Sequence, residues 1–289
     1  MPKRKMELAV ISDLHLGTYG CHAKQLLEYL KSIDPDVLVL NGDIIDIWNF
    51  SKNYFPKSHM HVLRQILKMA EQGTKTYYIT GNHDEALRKY SGIQLGNFIL
   101  DDKVILKLNG KKVWFFHGDI FDATTKGWAR IIAKLGGKGY DILIWTNRLI
   151  NDILNYFGKE KVSLSKKVKS GVKKAVKWIT NFEDIAASLA IDQKFDIVVC
   201  GHIHQPQDRM IQNDHGAVRY LNSGDWVENC TALEYDQGEW TLYKHSVTIL
   251  NPVHNEVEEM MDDQEFDFQV FNLQSFYDTQ KVSALPKHT

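Results

Sequence analysis

The chain has 289 residues, 44% of them apolar and 25% charged, with a formal net charge of −1. That length suits one α/β core carrying an insertion, and the composition excludes a fibrous, disordered or disulfide-stapled protein. The three cysteines, Cys21, Cys200 and Cys230, have no paired spacing, as expected of a reduced, intracellular protein.

The basic start, Met1-Pro2-Lys3-Arg4-Lys5, leads into the short apolar run Leu8-Ala9-Val10-Ile11. That run is too short for a secretion signal or a membrane span, so the expected location is cytoplasmic, with membrane contact at most peripheral on the inner membrane. It reads instead as a strand buried on both faces. Val37-Leu38-Val39-Leu40, Thr76-Tyr77-Tyr78-Ile79, Val113-Trp114-Phe115-Phe116 and Ile197-Val198-Val199-Cys200 repeat the pattern. Segments 23–33 and 59–71, with apolar residues three and four apart, read as helices between the early strands. This βαβα alternation predicts a layered α/β core.

From about residue 122 the rhythm is helix only, with Gly136-Gly137-Lys138-Gly139 as a break and 162–190 as a long helix. Val218-Arg219-Tyr220-Leu221, Thr231-Ala232-Leu233-Glu234 and Trp240-Thr241-Leu242-Tyr243 read as closing strands. The expected organisation is a core formed by 1–122 and 195–250, a helical cap insertion at 123–194, and an acidic C-terminal tail at 251–289.

Five motifs each follow a strand, where α/β sheets place their ligand sites. They are Asp13-Leu14-His15, Gly42-Asp43, Gly81-Asn82-His83-Asp84, His117-Gly118-Asp119 and Gly201-His202-Ile203-His204. Alone, Asp-Leu-His marks a surface turn, Gly-Asp is nearly meaningless, and a histidine after an apolar strand is a core or cap residue. In conjunction, ordered and at strand ends, they supply the donors of a two-metal centre. Residues i and i+2 of an extended segment point the same way, so Asp13 and His15 can hold one ion together, with His204 completing it. The Asp43 carboxylate can bridge two ions, while Asn82, His117 and His202 serve the second. A mixed nitrogen and oxygen set without thiolate suits two divalent ions, manganese first, with iron, zinc or cobalt as alternatives. Two such ions about 3.5–4 Å apart activate water at neutral pH and neutralise phosphoryl oxygens. His83, beside Asn82, is the expected acid for the leaving oxygen, and Asp84 is expected to hold its imidazole. By contrast, His59-Met60-His61 opens a helix, where i and i+2 diverge by about 200° and do not chelate one ion, so it reads as structural.

At these motifs the chain resembles the calcineurin-like metallophosphoesterases, over roughly residues 8–235. The resemblance implies a four-layer α/β/β/α sandwich and two-metal ester hydrolysis. It assigns Asp13, His15, Asp43 and His204 to one ion, and Asp43, Asn82, His117 and His202 to the other. The arginine that phosphoprotein phosphatases carry shortly after Gly-Asp is missing from Gly42-Asp43-Ile44-Ile45-Asp46-Ile47-Trp48. That stretch, Ser12-Asp13-Leu14-His15-Leu16, and His117-Gly118-Asp119 before a helical insertion look instead like the bacterial UDP-2,3-diacylglucosamine diphosphatases. Those enzymes split the pyrophosphate of a lipid A precursor into UMP and a lipid monophosphate. His83 stands where the best-known of them carry arginine, and Trp128 and Thr125 where they carry a tyrosine and an acid at the cap entrance.

Between positions 159 and 177 there are eight lysines and one acid, Glu160. Lys166, Lys169 and Lys173 fall beside an apolar helix face. They read either as a solvated surface or as a basic lid for anionic phosphates or an anionic membrane, each lysine near such a surface contributing roughly 1 kcal/mol. The apolar segment 142–157 reads as core packing or as an acyl groove, with Asn147 and Arg148 available to a headgroup. The expected substrate contacts are Asn82, His83, Trp128, Arg148, Lys166, Lys169, Lys173 and His202. No base-stacking platform or reading motif points to nucleic acid. The expected partner is therefore a phosphate ester or nucleotide-lipid. The alternatives are a phosphodiesterase or phosphomonoesterase for soluble nucleotides and a non-catalytic scaffold.

Overall fold

Each of the five apolar runs that precede a motif is a strand, and both early periodic segments are helices. A computed structural model of the chain describes residues 2–47, 54–121 and 166–246, with the backbone alone at 166–178. In chain order the elements are β1 (Arg4–Ile11), α1 (Ala23–Ser32), β2 (Ile33–Asn41), α2 (Lys57–Glu71), β3 (Lys75–Ile79), a 3-10 turn (Glu85–Tyr90), β4 (Gln94–Leu95), β5 (Phe98–Asp101), β6 (Lys103–Leu108), β7 (Lys111–Phe116), α3 (Lys166–Asp192), β8 (Ile197–Cys200), β9 (Gln207–Asn213), β10 (Gly216–Asn222), β11 (Thr231–Asp236) and β12 (Glu239–Lys244). Residues 122–165, which hold Trp128 and Arg148, and the expected tail at 251–289 lie outside the described residues.

The strands form two sheets, ordered β12-β11-β1-β2-β3-β5-β4 and β6-β7-β8-β10-β9. Strands β1, β2, β3 and β5 are parallel, as are β7, β8 and β10; antiparallel strands close the edges. The side-chain alternation explains the continuous apolar runs. Leu8, Val10, Val39 and Ile79 meet Val113, Phe115, Val199 and Leu221 between the sheets. Ala9, Ile11, Leu38 and Leu40 turn the other way, onto Leu26 and Leu30 of α1 and Val62 and Ile66 of α2. On the far side, Trp114, Phe116, Val198 and Tyr220 pack against Phe182, Ala186, Ala187, Ala190 and Ile191 of α3. The layer order is therefore helix, sheet, sheet, helix: the α/β/β/α sandwich expected.

Two features depart from the sequence reading. Strands β4, β5, β6 and β9 add to those expected; β9, Gln207–Asn213, has no fully buried residue. Within the segment 123–194, the C-terminal half of α3 is the outer helical layer of the second sheet. Its apolar residues at 182, 186, 187, 190 and 191 share one helical face.

His59 takes the structural part expected of it. It is buried on α2, its Nδ1 accepts the Gly17 N–H at 2.9 Å, and burial pushes its pKa down to about 4. A histidine that protonates near pH 4 when folded and near 6.5 when unfolded makes the fold lose stability as pH falls between those values, by about 3 kcal/mol once both are passed. Urea unfolding of chelator-treated His59→Gln is expected to show a pH 7 to pH 4 stability drop about 3 kcal/mol smaller than that of the wild type. Equal drops would refute this account of His59.

Candidate metal centre

The five motifs occupy the loops after β1, β2, β3, β7 and β8, and backbone hydrogen bonds tie these loops to one another. Asp13 N–H donates to Gly42 O at 3.0 Å, His15 N–H to Asp43 O at 3.0 Å, and Gly201 N–H to His117 O at 3.0 Å. Five expected ligands, Asp13, His15, Asp43, His202 and His204, have φ between 50° and 71°. L residues rarely adopt this left-handed conformation, and its concentration in one place is typical of functional loops. Here it turns each side chain inward directly after its strand.

Asp13, His15 and His204 bring ligand atoms within 4.8 Å of one another, and so do Asp43, His117 and His202. Asp43 Oδ2 lies 3.1 Å from His117 Nε2 and 4.0 Å from His15 Nε2, so one carboxylate faces both groups. Its Oδ1 accepts the His83 N–H at 2.9 Å. His204 Nε2 stands 3.3 Å from Asp13 Oδ1 and 3.4 Å from His15 Nε2. The His117 ring is oriented from behind: its Nδ1 contacts Asn41 O at 2.9 Å, as an N–H donor, which in the neutral ring places the lone pair on Nε2.

Burial opposes charge on Asp13 and Asp43, yet His204 beside the first and His117 beside the second hold both carboxyls below the usual range. The converse applies to the imidazoles. Burial would lower them, but Asp43 raises His117 well above an ordinary histidine and Asp13 raises His204 to about 9. Concentrated negative charge of this kind is suited to cations.

The donor set fits a pair of divalent ions. Asn82 Oδ1 is buried without a hydrogen bond, and a buried polar atom left unmatched costs about 1–3 kcal/mol unless something else satisfies it. It is one of the four donors expected to serve the second ion. The surroundings are cut to this shape. A Cβ on Gly81 would lie 2.2 Å from Asp43 Oδ1 and 2.6 Å from Asp43 N. Gly81→Ala is therefore expected to displace the Asp43 carboxylate and reduce turnover about 100-fold, the scale of an ångström-sized misplacement. Wild-type rates with wild-type Mn2+ uptake would contradict it.

One expected role is corrected. Asp84 does not hold the His83 imidazole. It is fully buried and accepts from Gly81 N–H at 2.6 Å, Ile44 N–H at 2.9 Å and Tyr78 O–H at 2.7 Å, so its acceptors bind the motif loop to the loop after β2. The carboxylate at His83 is Asp46, whose Oδ1 lies 2.9 Å from Nδ1. Asp46 Oδ2 also contacts His15 Nδ1 at 3.3 Å. It sits three residues after Asp43 in the sequence, and that spacing was its only signal. Burial would lower the pKa of His83, but Asp46 and the Asp43 charge hold it above the ordinary value. Lys166, Lys169 and Lys173 lie in the first turns of α3; Phe182, further along the same helix, has its ring 5.9 Å from that of His202.

Buried imidazoles and carboxylates gathered around one bridging aspartate, at strand ends of a double-sheet sandwich, define a metal-dependent phosphoester hydrolase. The chain belongs to the calcineurin-like phosphoesterase family, whose profile matches residues 6–206; such enzymes use divalent metals. It is similar to the UDP-2,3-diacylglucosamine hydrolase of Aliivibrio fischeri, 25% identical over 247 residues that cover 83% of this chain and 98% of the relative. The protein of the same name from Stenotrophomonas maltophilia is 26% identical over 246 residues, covering 82% and 98%. That from Vibrio cholerae is 25% identical over 249 residues, covering 82% and 98%.

Proposed function

We propose that this protein hydrolyses the pyrophosphate of a nucleotide-lipid of the UDP-2,3-diacylglucosamine type, releasing UMP and a lipid monophosphate. The observation that carries the reading is Asp43, one carboxylate facing both ligand groups, beside the unmatched Asn82 Oδ1. Asp13, His15, Asp43 and His204 hold one divalent ion, and Asp43, Asn82, His117 and His202 the other, manganese being the metal proposed. When bound, the two ions supply Lewis-acid charge for the phosphoryl oxygens and lower the pKa of water.

The remaining work falls to the chain itself. His83 carries a proton on Nε2 for the leaving oxygen, with its Nδ1 held by Asp46. Asp84 fixes the loop that bears Asn82 and His83. The substrate assignment draws on three relatives that share the printed name and align over nearly their whole length. Trp128, Arg148, Lys166, Lys169 and Lys173 are proposed contacts for headgroup and phosphate. No described helix is long and apolar enough to cross a membrane; the setting proposed for a nucleotide-lipid substrate is peripheral, on the cytoplasmic face of an anionic inner membrane.

The test is a substrate panel with the Mn2+-loaded protein, comparing acylated and deacylated UDP-glucosamine and a chromogenic phosphodiester. UMP release dependent on the acyl chains is the expected result. Turnover of the chromogenic diester and of both UDP-sugars alike would replace this reading with a general phosphodiesterase.

A further inference from the structure

The loop after β10, Asn222-Ser223-Gly224-Asp225-Trp226, belongs to none of the five motifs, yet it closes around one of their histidines. Asp225 is fully buried. Its Oδ1 accepts the backbone N–H groups of Val227 at 2.7 Å, of Glu228, and of Asn229 at 3.1 Å, and its Oδ2 accepts the Asn229 amide at 2.6 Å. The same amide nitrogen donates to His204 O at 2.9 Å. All these donors are neutral. Among the described residues, the ion-pair partner of Asp225 is His204, whose Nδ1 lies 3.8 Å from Oδ2.

A buried charge is costly unless it is both hydrogen-bonded and paired. Among the described residues no lysine or arginine pairs with Asp225, and the His204 ring is its charged partner. We propose that Asp225 is a positioning residue for the ion held by Asp13, His15 and His204, fixing the ring with Nε2 towards the ion and strengthening it as a donor. The inference rests on the two-ion reading above. Its physical basis is general: a carboxylate behind a metal-binding histidine sets its tautomer and basicity, and removing it weakens binding by about 10–100-fold. Asp46 stands behind His15 at 3.3 Å, and the neutral carbonyl of Asn41 stands behind His117 at 2.9 Å.

The experiment is calorimetric titration of the full, chelator-stripped chain with Mn2+. Wild-type protein is expected to take up two ions. Asp225→Asn, which keeps the shape and removes the charge, is expected to weaken one of the two by about 10–100-fold and leave the other unchanged. In a His204→Ala background the same substitution is expected to have no further effect, since Asp225 acts only through that ring. Unchanged affinity for both ions in Asp225→Asn, or an equal further loss without His204, would overturn the proposal. If Asp225→Asn loses its native circular dichroism, Zn2+-loaded wild type labelled with 15N-histidine decides. A His204 Nδ1–H resonance shifted downfield and protected from exchange supports the role, and one in fast exchange removes it. Wild-type protein that takes up no Mn2+ would instead sink the metal-centre reading itself.

Discussion

Asp43→Asn is expected to keep the fold and lose phosphoester hydrolysis by on the order of 10³-fold or more, a transition-state loss of about 4 kcal/mol. The size follows from the work done by each oxygen. Oδ1 accepts the His83 N–H at 2.9 Å, and Oδ2 faces His117 at 3.1 Å and His15 at 4.0 Å. An asparagine has one acceptor oxygen. If its NH2 replaces Oδ1, two donors oppose each other at the His83 N–H; if it replaces Oδ2, a donor points at the place where cations are held. Neither orientation restores the bridge, and the neutral amide removes the charge that both groups share. Steady-state rates on any cleavable phosphodiester, with Mn2+ content and circular dichroism measured on the same sample, check this. Wild-type turnover by a folded Asp43→Asn would end the two-ion mechanism. His117→Ala tests the second group alone and is expected to lose one ion while the Asp13, His15 and His204 group keeps its own.

The candidate site was legible in the sequence to the extent that the residues proposed as ligands sit directly after strands recognisable by their apolar runs. A strand buried on both faces announces itself, and the residue that follows it in a parallel sheet is placed at the ligand-binding edge. Asp13, His15, Asp43, His117 and His202 could be found in this way. The supports could not. Asp46, Asp225 and Asn41 act on histidines that are distant in sequence, through contacts that exist only after two sheets have stacked. Asp84 shows the converse error: adjacency to His83 suggested a partnership, but its acceptors are taken by Gly81, Ile44 and Tyr78. Among the strands, β9 escaped notice because the edge segment Gln207–Asn213 turns only half-buried and mostly polar side chains toward the core, Ile211 among them. Helix periodicity is the same in a cap and in a core layer, so it cannot show that Phe182, Ala186 and Ala190, within the segment expected as an insertion, pack on the second sheet.

His83 is expected to reveal its role by leaving group and by pH. A general acid contributes about 10²–10⁴-fold when the departing oxygen needs a proton, and little when it does not. His83→Gln should therefore lose about that factor in kcat on an alkyl phosphodiester, and much less on a nitrophenyl ester, whose leaving group departs as the anion. The pH dependence has a definite sign. The imidazole must be protonated to act, and Asp46 and Asp43 hold its pKa above the ordinary histidine value despite burial. The alkaline limb of kcat should accordingly lie above the range of a free histidine, and it should vanish in His83→Gln. Asp46→Asn retains the ring but removes one source of that elevation, so the same limb should move to lower pH with a smaller loss of rate. Its contact with His15 adds a second signature, a weakened ion in the Asp13, His15 and His204 group. Equal losses on both kinds of leaving group, with the alkaline limb intact, would assign His83 to phosphate binding and leave the proton to solvent.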